Sequence, residues 1–160
     1  MVSKDIIIEC EELRKLTEAK YVKIGNIYCP AFKANVYFTS DGFHHLRYDS
    51  IRNERDKKVQ KNKFKFFDSG VETIKKSTTI QEYRRKYECI GKPDRNGLRK
   101  TQLVHYFGFF SILSFSKSIR VKAVVRRIGE GGQYHFWSVM PFWTLSNHIN
   151  VIGSKDIEDG

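Results

Sequence analysis

Ser118-Ile-Arg-Val-Lys-Ala-Val-Val-Arg-Arg-Ile-Gly-Glu-Gly-Gly-Gln-Tyr-His-Phe-Trp-Ser-Val-Met-Pro-Phe142 decides how the chain is read. Two runs of alternating β-branched and aromatic residues flank Gly129-Glu130-Gly131-Gly132, a strong hairpin signal. With Ile128 paired to Gln133, Ile119, Val121, Ala123 and Val125 share a core face with Tyr134, Phe136, Ser138 and Met140. The opposite face then carries Arg120, Lys122 and Arg126 beside His135 and Trp137. Cations, an imidazole and an aromatic plate on one rigid surface suit a polyanion whose bases can stack.

The rest of the chain is read outward from that hairpin. Before it, Leu98 to Phe115 is apolar on both sides in its second half, as a central strand would be, and Ser116-Lys117 is a two-residue turn into the Ser118 strand. Lys92-Pro93-Asp94-Arg95-Asn96-Gly97 turns a further strand, Thr78 to Cys89, into it. Upstream, Lys4 to Ala19 reads as a helix that mixes apolar Ile7, Ile8, Leu13 and Leu16 with charges at helical spacing. Tyr21 to Phe32 is punctuated by Gly25-Asn26 and Pro30 into connections or a short extended hairpin. Val36 to Thr39 is extended, and Ser40 or Asp41 caps a brief helix holding Phe43, His44, His45 and Leu46. A polar helix runs from Asp49 or Ser50 to Asn62, its cations read chiefly as a solvated face, and another from Asp68 or Ser69 to Ser77 turns Val71 and Ile74 inward. The expected fold is α+β, with N-terminal helices packed on a four-stranded antiparallel β-meander in a single domain over 1–152 and a disordered tail over 153–160.

Composition narrows the class. The chain has 160 residues, 40% of them hydrophobic and 14% aromatic, enough for one core. A net charge of +11 points to nucleic acid or another anionic surface as partner. The N-terminal Met1-Val2-Ser3-Lys4-Asp5 lacks the pattern of a signal peptide and no apolar run reaches the length of a bilayer span, so a cytoplasmic protein without membrane contact is expected. Cys10, Cys29 and Cys89 are widely spaced and form no CxxC pair, which argues for reduced thiols and no metal site.

The chemistry is sought where histidine meets arginine. With a two-residue turn at Ser116-Lys117, Phe107 falls opposite Arg126 and Arg126 opposite His135, with His105 two residues along the same face. A one-residue slip would send part of this set to the core side. RNA cleavage by its own 2′-hydroxyl needs a base, an acid for the leaving 5′ oxygen, and a fixed cation for the charged phosphorane. Histidine fills either proton role, and arginine offers bidentate bonds to phosphate. Successive helical residues point about 100° apart, so at most one of His44 and His45 is expected to meet a bound phosphate.

The order of elements, with Val-Tyr-Phe-Thr-Ser-Asp-Gly-Phe-His-His-Leu at 36 to 46 and Arg126-Arg127 followed by Tyr-His-Phe-Trp-Ser-Val-Met-Pro at 134 to 141, resembles the barnase, EndoU, colicin E5/D and RelE (BECR-fold) ribonucleases, especially small phage or mobile-element toxin-like members. The resemblance spans roughly residues 30 to 145 and implies metal-independent RNA cleavage. It also implies a His at the helix end, here His44 or His45, and basic and His side chains on the sheet.

The sequence therefore leads to the expectation of a metal-independent endoribonuclease without cofactor, acting as a toxin or defence effector on RNA and partnered by a cognate inhibitor protein. His44 or His45 is the candidate base and His135 or His105 the candidate acid. Arg126, Lys122 and Arg120 hold phosphate, and Trp137 or Phe107 stacks a base. A noncatalytic RNA-binding module using the same face is the main alternative, and a DNA-binding accessory protein a third.

Overall fold

The computed structural model describes residues 2–113, 116–145, 148–151 and 157, with side chains left aside at 116–118, 142–145 and 148–151. Helix α1 (Lys4–Ile24) starts where the Ser3 hydroxyl accepts from Ile6 N, and ends at Gly25, whose φ of 65° is cheap only for glycine. It runs past the expected end at Ala19 because Tyr21 is part of the core, packed against Phe38, Phe43, Phe67 and Phe136. Its buried stripe is Cys10, Thr17 and Tyr21, while Ile7, Ile8 and Leu16 are exposed.

The irregular stretch after α1 is a hairpin of β1 (Asn26–Cys29) and β2 (Ala34–Tyr37). Helix α2 (Ser40–Arg47) follows, its N-cap position taken by Thr39 rather than by Ser40 or Asp41. The expected polar helix from residue 49 begins later. The Asp49 carboxylate accepts from Ile51 N and Asn53 N, which folds 49–53 into a turn, and Asp56 caps α3 (Lys57–Lys65). Helix α4 (Phe67–Lys76) buries Val71 and Ile74 as anticipated.

Strands β3 (Glu82–Ile90), β4 (Lys100–Leu113), β5 (Ser116–Ile128) and β6 (Tyr134–Leu145) pair in succession, all antiparallel. They are not the whole sheet. Among the described residues the order is β1-β2-β6-β5-β4-β3, with β2 parallel to β6, and β7 (His148–Val151) pairs with β6 farther along. The class is α+β, and the four-stranded antiparallel meander is corrected to a larger mixed sheet. The parallel pair arises because the chain leaves β2 through three helices and three strands before returning beside it, the long crossover that parallel neighbours require.

Two register shifts set the faces. Between Val124 and Val125 the β5–β6 ladder shifts, so Val125 faces Phe136, as expected, but Val124 faces Ser138 and Lys122 faces Met140. Met140 thus leaves the helix-covered face where the sequence put it, while Ser138 still meets α3 through Lys63. Between Ile112 and Leu113 the β4–β5 ladder shifts as well, and Tyr106 rather than Phe107 faces Arg126. The main core lies between the helices and Phe107, Phe109, Val121, Ala123, Val125, Phe136 and Val139. On the other face Val104, Tyr106, Val124 and Met140 cluster with Ile157, which is 2% exposed; the rest of the tail expected to be disordered lies outside the described residues. Among the described residues no helix is long and apolar enough to cross a membrane.

Candidate nucleic-acid interface

Arg126 and His135 face each other across β5 and β6, the juxtaposition expected from the hairpin. The row continues to Tyr106 and Arg84 on one side and to Tyr37 on the other. The parallel pairing of Tyr37 with His135 has a consequence: it brings the start of α2 against the sheet. Thr39, Asp41 and Gly42 thereby join Arg126, Ile128, His135, Phe136 and Trp137 around a pocket of about 170 Å3. A water molecule's share of liquid volume is about 30 Å3, so the pocket has room for a larger group.

Close approach of α2 depends on Gly42. A Cβ there would be driven into the carbonyl oxygen of Phe136 and would lie 2.5 Å from Tyr21 Oη. Tyr21 Oη in turn donates to Thr39 O at 2.5 Å, fixing the backbone at the pocket rim.

Within the pocket, the Arg126 guanidinium lies 4.0 Å from the centre of the Trp137 ring. His135 is half-buried, and its Nδ1 is enclosed with no hydrogen-bond partner among the described residues. Burial first, and the Arg126 charge second, lower its pKa, while Asp41 acts the other way. The shift favours the neutral imidazole, the form that can accept a proton.

The other histidines are elsewhere. His45 is buried and stacks on Trp137 at 4.1 Å and 19°. Arg55 donates to its carbonyl and approaches its Nε2, both at 3.0 Å; a guanidinium has no acceptor, so Nε2 accepts and is unavailable as a base. His44 is exposed, stacked on Tyr48 at 4.4 Å, and does not line the pocket. The two neighbours do point apart, as helical geometry requires, but neither takes the role of base expected for it.

His105 and Phe107 are corrected by the one-residue slip. Both lie on the helix-side face, Phe107 within the core and His105 beside Tyr83, where no base bound near Arg126 can reach them. Lys122 keeps its face but is buried and paired with Glu82 at 2.7 Å, a partner that competes with phosphate. Arg120 is exposed but does not line the pocket. Of the candidates, Arg126, His135 and Trp137 come together, with His45 supporting Trp137 from below.

Asp41 and Thr39 were missed as pocket residues. Their only sequence signal was that of a helix start, which does not say what the helix start abuts. Among the described residues no three His, Cys, Asp or Glu side chains gather as a metal centre would need. No family model, curated protein or solved structure matches the chain.

Proposed function

We propose that the chain is an endoribonuclease that cleaves single-stranded RNA by attack of the 2′-hydroxyl, with His135 as the base and Arg126 on the phosphate. The observation that carries this reading is the neutral, half-buried imidazole of His135 facing Arg126 at a pocket with an aromatic wall. His135 takes the 2′ proton, the 2′ oxygen attacks phosphorus, and Arg126 neutralises the charge gathering on the non-bridging oxygens. Trp137 stacks the neighbouring base. Among the described residues no second imidazole lines the pocket, so in this reading the leaving 5′ oxygen takes its proton from solvent and turnover is slow. Such an activity suits a cytoplasmic toxin or defence effector restrained by an inhibitor protein.

The test is incubation with end-labelled RNA in EDTA. Scission yielding 2′,3′-cyclic phosphate ends, abolished by His135→Ala, is expected. Intact RNA, or equal cleavage by the variant, refutes the reading.

One observation favours RNA binding without scission. Arg55 occupies Nε2 of His45, leaving one histidine where acid and base catalysis ordinarily uses two groups. In that case the same pocket gives salt-sensitive RNA binding and no products.

A further inference from the structure

A second surface stands apart from the pocket. At the end of the sheet order, β3 continues its ladder with β4 as far as Ile90 opposite Lys100, whereas β5 joins β4 only from Val104 onward. The two strands therefore extend as a ribbon past the body of the sheet. Residues 82–100 carry seven Lys and Arg against three Asp and Glu. All three carboxylates are engaged: Glu82 with Lys122, Glu88 with Tyr106 and Lys86, and Asp94 with the backbone of its own turn. The surplus is positive.

On one side of β3, Tyr83, Arg85 and Tyr87 alternate. Tyr83 is 50% and Tyr87 74% exposed, and Arg85 between them is exposed too. Tyr83 is held in place, its Oη 2.5 Å from His105 Nδ1 and its ring parallel to that imidazole within 18°. His105 Nε2 in turn faces Glu130 Oε1 at 3.2 Å, close enough for an ion pair though not aligned for a hydrogen bond. Arg85 lies opposite His105, and Arg127 follows in the same row. Tyr83 and Tyr87 lie four residues apart on β3, about 13 Å along the strand with Arg85 midway, a span close to that of two extended nucleotides.

We propose that this ribbon is a second contact surface for single-stranded RNA, with Tyr83 and Tyr87 stacking bases and Arg85 holding the phosphate between them. The proposal rests on the RNA reading of the pocket and extends it to the strand beyond. Duplexes hide their base faces, so exposed plates favour an unpaired strand.

A 2′-O-methyl RNA 12-mer, which cannot undergo 2′ attack, serves as probe in fluorescence anisotropy across a salt series. Arg85→Ala with Tyr87→Ala is expected to weaken binding at least tenfold and to lower the slope of log K against log salt by about 0.7. Tyr83→Phe, which keeps the ring, is expected to bind as the native chain does. Unchanged affinity in the double variant overturns the proposal, while continued cleavage of ordinary RNA by that variant shows that the pocket reading survives it. Conversely, no cleavage by the native chain together with binding lost in the double variant removes the nuclease reading and keeps the ribbon. Tighter binding of single-stranded DNA of the same sequence overturns RNA as the occupant.

Discussion

Lys63 Nζ donates to Ser138 Oγ at 2.9 Å in a place where neither side chain meets solvent. A second bond, to Val139 O at 3.2 Å, satisfies a carbonyl of β6 in the stretch between its pairings with β2 and β7. Among the described residues no carboxylate pairs with this amine. Burial, then the charges of Arg55 and Lys122, lower its pKa far below the usual lysine value. Between that lowered pKa and the ordinary lysine value, the folded state thus binds fewer protons than the unfolded chain. Stability rises with pH by about 1.4 kcal/mol per unit from the folded pKa up to the ordinary lysine value, above which the term is fully present, and it is lost as pH falls through the folded pKa. Lys63→Met combined with Ser138→Ala is expected to remove that slope in urea titrations between pH 7 and 10. A slope equal to that of the native chain would show that Lys63 is charged when folded.

Gly42→Ala is expected to cost about 1–3 kcal/mol, the range for overpacking a tight site, because its Cβ has nowhere to go between Phe136 O and Tyr21 Oη. Gly131→Ala, with nothing within 4 Å of the added atom, is the control. Comparable denaturation midpoints for the two variants would mean that α2 does not sit as closely on β6 as described.

His135 should titrate below the ordinary histidine value in NMR. Arg126→Gln is expected to raise its pKa and Asp41→Asn to lower it further, since the two charges act in opposite directions. Cleavage that uses its neutral form should rise with pH through that lowered value and then level off. A descending limb near neutrality would instead reveal an acid that the pocket does not contain.

Trp137→Ala should weaken RNA binding by about 1–3 kcal/mol, the worth of one stacked base. The same change uncovers His45, whose ring rests on the indole. Near-ultraviolet circular dichroism of the free variant separates lost stacking from lost structure, because a disturbed core would alter the signals of the other aromatic residues as well.

The sequence already contained the turn at Gly129-Glu130-Gly131-Gly132 and the alternation around it, so Arg126 opposite His135 could be read directly. Local chemistry fixes such pairs. The shift beyond Val125 could not be read, because an extra residue at Trp137 leaves the alternation of residue types looking regular while the faces exchange. The shift at Ile112 carried His105 and Phe107 to the other side for the same reason. Asp41 escaped notice on different grounds: its place at the pocket depends on β2 lying beside β6, a long-range pairing with no local signature. The burial of Tyr21 rather than Leu16 likewise reflects which neighbours α1 finds, not its own periodicity.

That long-range pairing also bears on when the pocket forms. During synthesis Thr39 and Asp41 leave the ribosome well before Arg126 and His135, and the wall they share cannot exist until the β5–β6 hairpin has emerged and docked beside β2. A chain halted before β6 consequently carries only the Thr39 and Asp41 side of the pocket, and the site is complete only when β6 has joined β2.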